Sequence, residues 1–245
     1  MIKTPLFSVV TVCFNSAETI QDTVRSVMSQ TCGDYEHILI DGASTDDTVV
    51  RALAVNRNLT VFSEPDKGIY DAMNKGVRLS SGKYINFLNA DDFHHPEFLS
   101  QNAALIREDS SIDCFYGGVQ AIRTDGTART FIPNPETIGT LMAMPFPTPT
   151  IVGRRQLFLD TGLFSLDYKY ASDLAWALKV IRQGYRCKST GQVLTSYRLG
   201  GRGNSLRSLR ESLSIFKLAG FSNLKLGQYA THTALQLLWH SLKSK

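Results

Sequence analysis

Short apolar runs alternate with amphipathic stretches through the first ninety or so residues. Leu6 to Phe14 is a nearly continuous apolar run centred on Val9, Val10 and Val12, the pattern of a buried strand. From Ala17 to Ser29 the apolar positions Ile20, Val24 and Val27 fall on one face of a helix. Tyr35 to Ile40 predicts a second strand that ends at Asp41. Thr48 to Ala54 predicts a helix capped by Ser44 or Asp46. Leu59 to Phe62 predicts a third short strand, and Ile69, Ala72, Met73 and Val77 recur at helical spacing. A fourth run, Lys83 to Leu88, stops at Asn89-Ala90-Asp91-Asp92. Strands alternating with helices imply an α/β fold: a mostly parallel central sheet, right-handed crossovers and helices on both faces.

The second half is less regular. Ile112 to Gly118 and Val119 to Arg123 predict two strands, with Thr130-Phe131-Ile132 able to pair beside them. Pro133, Pro135, Pro145, Pro147 and Pro149 mark a loop-rich stretch that could line a site. Leu174 to Ile181 predicts a helix entered through Ser172 and Asp173, and Val193 to Arg198 a strand. Gly200-Gly201-Arg202-Gly203 predicts a flexible loop. Leu206 to Leu218 and Tyr229 to Leu242 predict amphipathic helices. No repeat or linker interrupts the chain, so the division is one domain over 1–205 and a helical tail over 206–245.

Composition narrows the class. The chain has 245 residues, 43% hydrophobic and 20% charged, as a soluble globular protein does. Cys13, Cys32, Cys114 and Cys187 are widely spaced with no CxxC, which points to neither a disulfide framework nor a zinc site. A reducing, cytoplasmic setting is the expectation. No run reaches the roughly 18 apolar residues of a membrane helix, and the first residues lack a signal-peptide core. Net charge is +4, yet Arg198 to Lys245 holds eight Lys or Arg against Glu211 alone, leaving −3 on the body. A basic tail suits an anionic partner. Leu235, Leu237, Leu238, Trp239 and Leu242 beside Lys243 and Lys245 fit a helix lying on an anionic membrane surface. Packing on the domain or on another subunit fits them too. Nucleic acid is not expected, because the tail has no interleaved aromatics and no nucleic-acid motif.

Candidate chemistry gathers at strand ends. Asp41, Asp66 and the pair Asp91-Asp92 each follow a predicted strand. Open α/β sheets bind ligands outside these carboxyl ends. Adjacent carboxylates disfavour each other's charge, and a cation removes that penalty. Oxygen ligands suit Mg²⁺ or Mn²⁺ shared with a substrate phosphate. The plain alternative for Asp91-Asp92 is a turn and a cap for a helix starting near Pro96. For Asp173 it is a cap for the helix that follows. Asp71, Asn74 and Lys75 suggest an exposed helix face, and His94 and His95 suggest loop residues.

Five segments in order carry a resemblance over about residues 6–205: Ser8-Val9-Val10-Thr11-Val12-Cys13-Phe14-Asn15; Asp41-Gly42-Ala43-Ser44-Thr45-Asp46; Glu64-Pro65-Asp66-Lys67-Gly68-Ile69-Tyr70-Asp71-Ala72-Met73-Asn74-Lys75-Gly76; Asn89-Ala90-Asp91-Asp92; and Ala171-Ser172-Asp173. With them the chain resembles the bacterial glycosyltransferase family 2 enzymes of exopolysaccharide and colanic-acid-type clusters. The resemblance implies the GT-A fold, a Rossmann-like nucleotide-diphospho-sugar transferase fold, with a nucleotide-sugar half over 1–92 and an acceptor half over 93–205. It implies an inverting transfer from a UDP- or GDP-sugar to a saccharide or lipid-linked saccharide. Phe14, Asn15, Asp41, Asp66 and Gly68 would line the nucleotide pocket, with Asp91 on the donor; apart from the resemblance, Arg198 and Arg202 flank the glycine loop, which could close over the donor diphosphate or be merely solvated. Asp92, supported by Asp91, would hold Mn²⁺ or Mg²⁺, and Asp173 would be the catalytic base. The site of work would be cytoplasmic, peripheral on the inner face of the membrane. The rival class is a non-catalytic nucleotide-binding or scaffold protein of a polysaccharide assembly. The chain departs from the pattern at Gly42, where many relatives have a second acid, and at Thr148-Pro149, where close relatives often have His-Gln. His94 or His95 could supply the missing contact.

Overall fold

The computed structural model describes residues 4–123, 125–134, 144–199 and 205–243, with 235–243 as backbone alone. Strands β1 (Phe7–Cys13), β2 (Tyr35–Asp41), β3 (Thr60–Ser63) and β4 (Tyr84–Asn89) run parallel in the order β3-β2-β1-β4. The register pairs Cys13 with Asp41 and Val12 with Asn89, so three strand ends finish level on one edge. Helices α1 (Ile20–Met28), α2 (Thr48–Val55) and α3 (Ile69–Leu79) cross between them. Every residue of β1 is buried, because alternate side chains enter two covered faces. Val10 and Val12 share a cluster with Met73 and Val77 of α3, while Phe7 and Val9 share another with Val27 of α1. Gly76 lets α3 sit close, since a Cβ there would overlap the Val10 side chain.

The second half extends the same sheet. Its elements are β5 (Phe93–His94), α4 (Phe98–Glu108), β6 (Cys114–Ile122), β7 (Ala128–Phe131), β8 (Val152–Arg154), α5 (Arg155–Asp160), α6 (Ser172–Arg182) and β9 (Cys187–Arg198). The order continues β4-β8-β6-β9-β5, with β7 on β6. β8 is antiparallel to both β4 and β6, and β9 is parallel to β6. Strands β1 to β4, β6 and β9 therefore point one way, which makes the sheet mostly parallel.

Three details differ from expectation. The two strands expected over Ile112 to Arg123 are one strand, β6. A register shift against β9 falls at Tyr116 to Val119, where Gly118 has Phe131, Ile132 and Val193 too close for a Cβ. β9 begins at Cys187, before Val193, because pairing with β6 extends it through the polar stretch Lys188 to Gln192. β5, β8 and α5 are too short to show a period.

The tail forms α7 (Leu206–Leu218) and α8 (Asn223–Lys243). α7 docks on the domain: Ile215, Phe216 and Ala219 share a cluster with Ala171, Leu174 and Leu178. Tyr229 of α8 meets Phe216 edge-on at 5.3 Å. Among the described residues no helix is long and apolar enough to cross a membrane.

Candidate functional site

The loops after β1 and β2 are stitched together. Asn15 lies at φ 50 and Ala43 at φ 62, left-handed conformations that non-glycine residues seldom adopt. The Asn15 N–H donates to Ser44 Oγ at 2.8 Å, and Asn15 Oδ1 accepts from the Thr45 N–H at 2.9 Å. Asp41 is fully buried. Its carboxylate accepts from the Ser44 N–H at 3.0 Å, the Ser44 hydroxyl at 2.5 Å, the Ser63 hydroxyl at 2.6 Å and the Cys13 thiol at 3.4 Å. With its lone pairs used inside the protein, Asp41 holds the 42–45 loop in shape and is not open to a ligand.

Phe14 is 54% exposed at the mouth of this loop pair. Gly42 lies between it and Asp66: a Cβ at position 42 would sit 2.5 Å from Asp66 Oδ2 and 3.5 Å from Phe14 Cδ2. An acid at position 42 would therefore need the space the Asp66 carboxylate holds. Asp66 Oδ1 also accepts from the Gly68 N–H at 2.8 Å. Gly68, at φ 120, turns the chain into α3. Asp71 accepts from the Lys67 N–H at 3.0 Å across that start.

The face of α3 expected to be exposed is instead structural. Asn74 is buried, and its amide makes a reciprocal pair with the Phe164 main chain at 2.8 and 2.9 Å. The Lys75 ammonium meets the Pro65 carbonyl at 2.8 Å and Glu64 at 2.9 Å. Tyr70, one turn before Asn74, donates its hydroxyl to Asp173 at 2.9 Å.

At the end of β4, Asp92 is 3% exposed and Asp91 half-buried. Burial first, then the charge of Asp91, pushes the Asp92 carboxyl up to about 8. Burial also raises Asp91. Asn89 Nδ2 donates to Asp92 Oδ2 at 3.0 Å, while Asn89 Oδ1 is buried without a hydrogen-bond partner. Arg198 of β9 donates to the Asp91 carbonyl and to Asp22, both at 2.8 Å, and lies 5.5 Å over the Phe93 ring. Two raised carboxylates and an unmatched amide oxygen form an oxygen-only donor set, which fits Mg²⁺ or Mn²⁺. The described residues contain no cluster of three or more His, Cys, Asp or Glu able to hold a metal. Further ligands would have to come from a substrate, as phosphates commonly provide.

Asp173 sits in the first turn of α6, half-buried. The helix N-cap is Ala171, which has no capping side chain. Asp173 accepts from the Leu174 N–H at 2.9 Å and the Thr148 hydroxyl at 2.7 Å, besides Tyr70. Glu211 of α7 accepts the Lys169, Tyr170 and Ala171 N–H groups at 3.0, 2.7 and 3.0 Å, fixing the chain just before it. His94 is not a loop residue. It is buried and stacked 3.8 Å from the Phe98 ring, with its nitrogens on Thr195 and Asn86 at 3.0 and 2.7 Å. His95 meets Ser196 at 3.1 Å. Neither reaches Asp173; Thr148 does. Arg202 lies outside the described residues.

The structure thus sets Phe14 and Asp66 about the open space at Gly42, and joins Asp66 through Gly68 and α3 to Tyr70 and Asp173. From sequence, Tyr70, Asn89 and Glu211 have no assigned role, and Thr148 marks only a departure from the family pattern. Tyr70 and Asn74 stand at i and i+4 of the Gly68 segment, a spacing that puts both on one helix face and could have flagged them.

A family model described as Glycosyl transferase family 2 matches residues 8–166. The chain is 32% identical over 201 residues to the PGL/p-HBAD biosynthesis glycosyltransferase of Mycobacterium bovis, spanning 79% of this chain and 73% of that one. It is 29% identical over 204 residues to the putative teichuronic acid biosynthesis glycosyltransferase TuaG of Bacillus subtilis, spanning 80% and 79%. Its fold matches the mannosyltransferase PcManGT from Pyrobaculum calidifontis, solved with GDP-Man and Mn²⁺, at a TM-score of 0.68 and 20% identity, covering 96% of this chain and 70% of that one.

Proposed function

Because the chain belongs to glycosyl transferase family 2, we propose that it is an inverting transferase moving a sugar from a UDP- or GDP-sugar to a saccharide or lipid-linked saccharide. The product would be a cell-surface polysaccharide assembled at the inner face of the membrane. The observation that carries the proposal is the gathering of the segments after β1 to β4 at one sheet edge, joined through α3 to a half-buried carboxylate at the start of α6. The teichuronic acid biosynthesis in TuaG's description and the GDP-Man bound by PcManGT support the substrate classes.

Phe14, Asn15, Gly42 and Asp66 surround the nucleotide base and ribose, on a loop held by Asp41. Asp92 and Asp91 would hold the divalent cation, which when bound would neutralise charge on the departing diphosphate. Asp173 takes the proton of the acceptor hydroxyl. The acceptor oxygen bonds to the anomeric carbon as the bond to the diphosphate oxygen breaks on the opposite face. The electron pair leaves with the nucleoside diphosphate, and one displacement inverts the centre.

UDP-glucose, UDP-N-acetylglucosamine and GDP-mannose, each with Mn²⁺ or Mg²⁺, test the proposal by nucleoside diphosphate release, with water or added saccharides as acceptor. At least one donor should turn over. Asp173→Asn should keep nucleotide binding and lose turnover by roughly 10²–10⁴-fold, whereas Asp92→Ala should weaken metal-dependent binding. No turnover, together with no shift in melting temperature by UDP or GDP with metal, would sink the proposal.

A further inference from the structure

Asp173 is gripped from two separate elements. Its Oδ1 accepts the Tyr70 hydroxyl at 2.9 Å and the Leu174 N–H at 2.9 Å, and its Oδ2 accepts the Thr148 hydroxyl at 2.7 Å. A carboxylate offers about four lone-pair sites, two on each oxygen. Those three donors fill Oδ1 and leave one site, on Oδ2.

Both hydroxyls are held rigidly. Tyr70 is 7% exposed, and its ring packs 5.8 Å from Phe164, whose main chain Asn74 clamps. Burial, then the charge of Asp173, keeps the phenol well above its ordinary range, so it remains a donor. Thr148 opens a short 3₁₀ turn, Thr148–Thr150. The fully buried Asn86 of β4 fixes that turn by donating to the Pro149 and Ile151 carbonyls at 3.0 and 2.9 Å. Two fixed neighbours restrain the carboxylate, and one of its lone-pair sites is left for an incoming hydroxyl. Proton transfer depends steeply on that geometry: a misplacement of about 1 Å can cost 10²-fold.

We infer that Tyr70 and Thr148 are positioning residues that orient Asp173 so that the free lone pair of Oδ2 receives the acceptor proton. Tyr70 does this from the helix that starts at the Asp66–Gly68 edge of the nucleotide pocket, so donor side and base share one rigid element. The inference rests on Asp173 being the base.

The test uses the full chain with Mn²⁺ and whichever of UDP-glucose, UDP-N-acetylglucosamine or GDP-mannose turns over, scored by nucleoside diphosphate release. Tyr70→Phe keeps the ring, and Thr148→Val keeps the shape. Each should lower kcat roughly ten- to a hundredfold with the donor KM unchanged. Thr148→Ser should restore the rate. Added to Asp173→Asn, neither variant should cost anything more, because both act through that carboxylate. Wild-type kcat in Tyr70→Phe and Thr148→Val with a dead Asp173→Asn overturns the inference alone. So does a further loss when they are combined with Asp173→Asn. Wild-type transfer by Asp173→Asn instead removes the base assignment and this inference together.

Discussion

At the scale of single residues, the site is shaped by competition for space and for lone pairs. Gly42 is the clearest case. Its lack of a side chain leaves the place beside Phe14 to the Asp66 carboxylate, which comes from the segment after β3. Gly42→Ala would put a methyl carbon 2.5 Å from Asp66 Oδ2, a distance at which the carboxylate must move. UDP or GDP binding by titration calorimetry should weaken roughly tenfold, about 1.4 kcal/mol, with the melting temperature nearly unchanged. Unaltered affinity would mean that Asp66 is not a nucleotide contact. Asp41 illustrates the opposite economy: four internal donors saturate it, so its role is to hold the loop.

At the scale of elements, α3 and α7 do more than cover the sheet. α3 carries a pocket edge at Gly68, a hydroxyl for Asp173 at Tyr70 and a main-chain clamp at Asn74, all within two turns. α7 brings Glu211 to three successive N–H groups at residues 169–171, the segment that leads into α6. Hydrogen bonds to a charged group contribute about 1.5–3 kcal/mol in such settings. Glu211→Gln should therefore lower the free energy of urea unfolding by about 1–3 kcal/mol and reduce turnover through Asp173. Truncation before residue 205 should be more damaging still. Full stability in the Glu211→Gln chain would show that α7 docks through its apolar face alone.

At the scale of the whole molecule, charge is lopsided. The chain from Arg198 onward carries a balance of +7, and on its helices Leu206, Leu218 and Leu224 are 62%, 75% and 73% exposed. Basic residues beside exposed leucines favour an anionic lipid surface, by about 1 kcal/mol per Lys or Arg. The proposed inner-membrane setting then predicts sedimentation with phosphatidylglycerol vesicles but not with pure phosphatidylcholine, and release by salt or by Leu218→Asp with Leu224→Asp. No binding to the anionic vesicles removes the membrane from the proposal. Sequence alone determined the alternation of β1 to α3, the parallel sheet and the strand-end carboxylates, because periodicity and local turn chemistry are properties of neighbouring residues. It also carried the family, since that lies in ordered motifs. Tertiary structure decided the rest. β9 is a strand through polar Lys188 to Gln192 only because β6 pairs with it. His94 becomes a packing residue only because Asn86, Phe98 and Thr195 close around it. Tyr70 and Thr148 meet Asp173 across 103 and 25 residues of chain. No local pattern encodes such distances; they exist only once the sheet has fixed where α3 and α6 stand.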